Sequence, residues 1–191
     1  SGIPIIFMSV VDPVYSKIMA DWDTVNNLAT GTSNTIPADL LINTALDITP
    51  LKDGQIVTII YNSSQNNSQC TMEAACEYLD SLGIEYEVKE YTDVATAVQV
   101  AQSIDPAKTG FVYATLDSTI AANYNQIGEA LIELGIPSYA AADAMTQGGA
   151  FCSYGVSYPI VGKMTADMVI DWYNGKALED MPCQRYSEFT L

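Results

Sequence analysis

The sequence contains no histidine, and that absence removes several mechanisms together. Neither a Ser-His-Asp nor a Cys-His nucleophile pair can be built, and no imidazole is present to hold a metal or shuttle a proton. Cationic side chains are scarce: 7 lysines and arginines stand against 23 aspartates and glutamates, for a net charge of −16. Such a chain has no basic stripe with which to release counterions from DNA or RNA. Docking on anionic lipid heads is excluded for the same reason. No apolar run reaches the roughly 18–20 residues that span a bilayer, and neither a signal-peptide pattern nor an initiator methionine opens the chain.

The 4 cysteines, Cys70, Cys76, Cys152 and Cys183, include no Cys-x-x-Cys pair, so a zinc ribbon or thioredoxin motif is unsupported. Cys70 and Cys76 are separated by about 600° of helical rotation, which speaks against a bond between them. All four read as small apolar core fillers. No metal site and no cofactor is expected.

What is present is a globular composition. The 191 residues are 49% hydrophobic and 16% charged, enough for one ordinary domain or two small ones with a sizeable core. Short runs rich in Val, Ile, Tyr and Phe predict strands at 3–11, 55–61, 84–91, 110–115, 137–141, 150–156 and 184–190. Helical periodicity predicts helices at 38–46, 68–82, 94–104, 119–134 and 159–174. Gly83, Gly135 and Gly175 follow three of these where a helix end favours positive φ.

Strands alternating with helices imply an α/β chain with a largely parallel sheet. The block 36–143 is expected to close as a flavodoxin-like three-layer domain. The stretches 26–35 and 144–149, rich in Gly, Thr, Asn and Ser, read as crossing linkers. The expected organisation is therefore a partial flank at 1–35, a complete domain at 36–143 and a returning flank at 144–191.

The loops after the strands carry the candidate chemistry, because strand C-termini line the ligand crevice of an open α/β sheet. After 55–61 comes Tyr61-Asn62-Ser63-Ser64-Gln65-Asn66-Asn67-Ser68, packed with small hydroxyl and amide groups before a long helix. It suits a carboxylate or phosphate, and Asn67 or Ser68 is expected to cap the helix. The glycines and Gly-Lys-Ser/Thr ending of a phosphate-binding loop are missing. Asp117, Ser118 and Thr119 occupy the equivalent place after 110–115, where an acid can hold an ammonium or a sugar hydroxyl. Asp143 follows 137–141 in the same way. Ser9 and Asp12 end the first strand before a helix expected to start at Pro13, and Tyr154 offers a ring for stacking. Twelve tyrosines against four phenylalanines point weakly to a wet cleft.

In chain order, IPIIFMSVVDPV, TGTSNTIPADLLINTAL, IVTIIYNSSQNNS, FVYATLDSTIA, IPSYAAADAMTQGGAFCSYGVSYPIVGKMTADMVIDWYNGK and DMPCQRY resemble a family of bacterial ABC-importer substrate-binding proteins. It is the family that includes tryptophan- and other aromatic amino-acid-binding lipoproteins of the TrpX kind. The resemblance runs over essentially the whole chain. It implies a type I periplasmic-binding-protein fold, two α/β lobes closing on a small ligand, with Ser9, Asp12, Ser63, Ser64, Asn67, Ser68, Asp117, Ser118, Thr119, Asp143 and Tyr154 in the cleft. It also implies a membrane permease as partner, a cell-surface lipoprotein or periplasmic location, and no catalysis. The family commonly carries proline and glutamate in the loop where this chain has Ser63, Gln65 and Asn66. Its members also begin with several strand–helix units before the IPIIF-like strand, so this chain is expected to hold one whole lobe and the later part of the other.

Two other classes stay open: a ligand-sensing domain of a receptor or regulator with the same fold, and a small carboxylate-dependent α/β enzyme relying on Asp117 and Asp143. The helix at 159–174 carries Ile160, Met164, Met168 and Trp172 along one side, an apolar face expected to be left exposed in this chain. Strand edges left open in the flanks predict self-association of the chain.

Overall fold

The computed structural model describes residues 2–25 and 27–191. Asn26, first residue of the expected linker, and Ser1 lie outside the described residues. The chain divides into two compact units, one of Ser1–Thr35 with Val156–Thr190 and one of Ile36–Gly155 with Leu191.

The second unit is built on a five-stranded parallel sheet of β3 (Ile56–Asn62), β4 (Tyr86–Tyr91), β5 (Thr109–Ala114), β6 (Ser138–Ala140) and β7 (Cys152–Ser153). Their spatial order is β4-β3-β5-β6-β7, all pairs parallel. The first strand of the unit is therefore flanked on opposite sides by the second and third, the flavodoxin-like order with its switch point between β3 and β5.

Alternation along β3 sends Ile59 and Val57 to one face and Ile60 to the other, so both faces must be covered. Helices α1 (Ala38–Ile48) and α2 (Asn66–Leu82) supply Leu41, Ile42, Ala45, Ala75 and Leu79 to one face. Helices α3 (Val94–Gln102), α4 (Ser118–Ala121) and α5 (Tyr124–Glu133) cover the other with Ala97, Ala101, Ile120, Ile127 and Leu131. Gly83 ends α2 at φ 66°, the left-handed conformation that its lack of Cβ makes inexpensive.

Three expectations for this unit are corrected. The segment 144–149 is not a linker: it holds α6 (Ala144–Gln147), which packs on α5. The run around 150–156 contributes only Cys152–Ser153 as a strand, and this pairs with β6, so the boundary lies at Gly155 and not after residue 143. The helix expected at 119–134 breaks into α4 and α5 where Asn123 leaves helical geometry, φ −129° and ψ 18°.

The first unit contains a three-stranded parallel sheet of β1 (Ile5–Phe7), β2 (Ala29–Ser33) and β8 (Gln184–Arg185), with β2 in the middle. The expected linker 26–35 is thus largely the central strand, and all five residues of β2 are buried. The outer strands are shorter than the expected 3–11 and 184–190. Helix α7 (Tyr158–Tyr173) lies on this sheet, and Thr165 Oγ1 shares a 2.7 Å hydrogen bond with Thr32 Oγ1. Its buried residues are Val161, Thr165 and Met168, whereas Ile160 and Trp172 of the expected apolar face are exposed. No helix starts at Pro13. The Asp12 carboxylate instead accepts from Val14 N and Tyr15 N at 2.8 and 2.9 Å, closing a turn. Met19, Val25, Leu178 and Cys183 form a small core, and the Arg185 guanidinium lies 4.4 Å from the Trp22 ring centroid.

None of the four cysteines is in a disulfide, and of the four only Cys183 is fully buried. Tyr91, Tyr113, Tyr124 and Tyr139 are buried core residues of the second unit, so these tyrosines do not line a wet surface. Among the described residues no helix is long and apolar enough to cross a membrane.

Candidate functional site

Because β3, β5 and β6 run parallel and adjacent, their carboxyl ends bring the 63–65, 115–117 and 141–143 loops side by side along one edge of the second unit. The first two meet at the switch point, where an open α/β sheet leaves its crevice.

Asp117 is the centre of this edge. It is wholly buried, and it caps α4 by accepting from Thr119 N at 2.7 Å through Oδ1. Its Oδ2 accepts from Asn62 Nδ2 at 2.7 Å. Asn62 Nδ2 and Thr119 N thus donate to the carboxylate, the neutral Tyr91 hydroxyl also faces it, and among the described residues no lysine or arginine pairs with it. A buried carboxylate gains from a positive partner, and it can accept about four hydrogen bonds. The buried Tyr91 hydroxyl at the end of β4 has its pKa raised, first by burial and then by the Asp117 charge.

The amide- and hydroxyl-rich loop behaves differently from the expected cap. The N-cap of α2 is Gln65, and no side chain caps the helix. Asn67 and Ser68 point elsewhere. Asn67 Nδ2 donates to Leu116 O at 3.1 Å, and Ser68 Oγ accepts from Asn62 N at 2.8 Å while sharing a 2.5 Å bond with Thr115 Oγ1. Helix α2, with 17 residues, therefore presents its positive end without a side-chain cap. Beside it Ser63 is half-buried and Ser64 exposed.

The remaining candidates are spread more widely. Ser118 is exposed and Thr119 half-buried at the start of α4. Asp143 is exposed after β6 and caps α6 by accepting from Ala144 N at 2.8 Å. Tyr154 follows β7, half-buried, with its hydroxyl 2.9 Å from Thr44 Oγ1. Ser9 and Asp12 belong to the first unit: Ser9 has φ 61° and donates its N–H to Thr32 Oγ1 at 3.2 Å, and Asp12 closes the turn described above. Two surface grooves lie apart from the switch point. One of about 450 Å³ runs between α1 and α2 beside Asp39 and Glu77, and one of about 350 Å³ borders Ile56, Gly83 and Lys108 near the strands' amino ends. Among the described residues no cluster of three or more acids and cysteines could hold a metal ion.

Two residues at the starts of the polar loops were not singled out as candidates from the sequence. Asn62 and Thr115 are fully buried and carry the bonds between the loops. The only signal for them was position, at strand ends preceding polar loops.

The family described as ABC transporter substrate binding protein matches residues 1–191. The chain belongs to this family. A tyrosine-binding protein of Clostridioides difficile (strain R20291) is 26% identical over 188 residues, covering 97% of this chain and 53% of that protein. An ABC domain from Streptococcus pneumonia, solved in complex with L-Trp, superposes with a TM-score of 0.84 at 22% identity, over 97% of this chain and 62% of that one. A conserved domain protein from Vibrio cholerae O1 biovar eltor superposes at 0.85 with 26% identity, over 98% of this chain and 62% of the other. The fold is that of periplasmic binding proteins. The chain spans about half the length of the curated relative it matches. In this chain Asp117 and the uncapped amino end of α2 are features of opposite sign at one sheet edge.

Proposed function

We propose that this chain forms the ligand-holding part of an extracytoplasmic amino-acid-binding protein that delivers its cargo to the membrane permease of an ABC importer. The observation that carries the reading is the buried Asp117, met by neutral donors and by no lysine or arginine among the described residues, at the switch point beside the uncapped amino end of α2. An α-ammonium on Asp117 neutralises the buried charge, and an α-carboxylate is favoured at the α2 end with Ser63, Ser64 and Asn67 nearby. Ser118, Thr119 and Asp143 continue the polar edge, and Tyr154 offers a ring. Relatives named for tyrosine binding, or solved with L-Trp, support an aromatic side chain on the ligand. Ser9 and Asp12 are proposed contacts from the first unit, and a lipid anchor is the proposed means of retention at the cell surface.

Calorimetric titration of the whole protein with L-tryptophan and L-tyrosine tests this. Asp117→Ala should weaken binding by about 2–5 kcal/mol, the loss on removing one partner of a buried charge pair. Affinity unchanged in Asp117→Ala, or preference for a sugar over all amino acids, overturns the assignment. Binding is expected without chemistry: the recovered ligand is unchanged after long incubation. A product that disappears on Asp117→Asn or Asp143→Asn would establish an enzyme instead.

A further inference from the structure

Asn62 is wholly buried, yet it is the last residue of β3 and lies directly beneath the proposed recognition edge. Both ends of its side-chain amide are used. Nδ2 donates to Asp117 Oδ2 at 2.7 Å, and Oδ1 accepts from Ser64 N at 2.9 Å and from Ser64 Oγ at 2.7 Å. One side chain therefore grips the carboxylate of the 115–117 loop and the turn that precedes α2. Two further ties run in parallel, Asn67 Nδ2 to Leu116 O and Ser68 Oγ to Thr115 Oγ1. Leu116 O and the two hydroxyls are satisfied within the cluster, whereas Asp117 keeps unused lone pairs. A group that meets an acceptor and two donors at once leaves its neighbours little rotational freedom, and a buried polar cluster with its partners in place is rigid.

We propose that Asn62 is a positioning residue that locks Asp117 and the Ser63–Ser64 turn into one preformed polar cluster, so that ammonium and carboxylate of the same amino acid are recognised as a unit. This rests on the amino-acid reading above. Asn62 does not touch the ligand; it fixes the rotamer of the acid that does, and the orientation of the turn beside the helix end. Preformation lowers the ordering cost of binding. The sequence shows only an asparagine between a strand and a polar loop. Its double grip is visible because β3 and β5 are neighbours in space.

The experiment is a double-mutant cycle on the whole protein, read by calorimetry with L-tryptophan as the probe. Asn62→Ala should weaken binding about tenfold in the natural background, as expected for loss of a hydrogen bond to a charged group. In an Asp117→Asn background the same change should cost less, about threefold, since only its hold on the Ser63–Ser64 turn is left to lose. Asn62→Asp keeps an acceptor for Ser64 but sets a second carboxylate against Asp117, and should lose more affinity than Asn62→Ala, with the excess loss shrinking in the Asp117→Asn background. Should these variants not fold, NMR of the unmutated protein decides. The Asn62 side-chain amide protons should exchange slowly before ligand is added and keep their shifts after it. Equal effects in the two backgrounds, or fast exchange of those protons in the free protein, overturn the inference while leaving the amino-acid reading standing. Failure of the unmutated protein to bind either L-tryptophan or L-tyrosine overturns that reading, and the inference with it.

Discussion

A side chain on Gly31 would place its Cβ 2.0 Å from the carbonyl oxygen of Phe7 and 2.5 Å from the Phe7 ring. Gly31 and Phe7 are register partners across β1 and β2, so the neighbour in the way is largely backbone and cannot swing aside. Gly31→Ala should therefore destabilise the first unit by about 1–3 kcal/mol, in the range of overpacking a tight site. Urea unfolding would show the loss, and amide exchange would assign it to β1 and β2 while β3 and β5 stay protected. An unchanged midpoint would mean that the strands separate without penalty.

Helix α3 begins at a reciprocal cap. Asp93 Oδ1 accepts from Thr96 N at 2.8 Å, and the Thr96 hydroxyl accepts from Asp93 N at 3.1 Å. These bonds lower the Asp93 pKa below 3.8, with the Thr96 backbone contribution largest. A depressed carboxyl pKa stabilises the fold above the unfolded value, and that contribution is lost as pH falls through the lower folded value. Asp93→Ala should speed amide exchange at Thr96 and Ala97 at neutral pH, and the difference from the natural protein should vanish in strong acid. A gap that persists there would contradict the cap.

Cys183 is buried beside Met19, Val25 and Leu178, and burial is the main cause that pushes its thiol from 9.0 up to about 11. Above the unfolded value the unfolded chain gives up its proton while the folded chain keeps it. Stability of the first unit should therefore be undiminished below pH 9 and fall as pH rises toward 11. Cys183→Ala should flatten that alkaline decline. Alkylation kinetics offer a second reading, with Cys183 reacting far more slowly at pH 8.5 than in urea. A thiol equally reactive in both states would contradict the burial.

The outer edge of β1 pairs with no strand among the described residues. The same unit exposes Ile3, Ile5 and Met8 along with Val169, Ile170 and Tyr173 of α7, with Ile3 at 69% and Tyr173 at 84%. Open edges and apolar surface favour pairing with another chain. The 191-residue chain is expected to associate with increasing concentration in sedimentation, and Ile5→Lys should shift it toward monomer. A monomer at high concentration, with β1 as protected as β3, would show that this edge needs no partner.

The sequence by itself determined the α/β class, the parallel strands of the second unit and the polar loops at their ends. Runs such as Ile56–Asn62 and Thr109–Ala114 are apolar because both faces of their sheet are covered, and that burial is written directly into residue type. The family resemblance was legible in the order of those motifs along the chain, and the family match spans residues 1–191. Other features were decided only by tertiary structure. Ala29–Ser33 has the composition of a linker and becomes a central strand because its small residues admit Phe7 on one side and Thr165 on the other. Residues 144–149 look like a crossing linker and instead hold α6, and the strand expected after them joins β6 of the second unit through Cys152–Ser153. Asn67 and Ser68 have the chemistry of helix caps, yet they turn to the 115–117 loop because strand order sets that loop beside them. Propensity is local and is carried by each residue, whereas the partner of a small or polar side chain is set by which strands become neighbours.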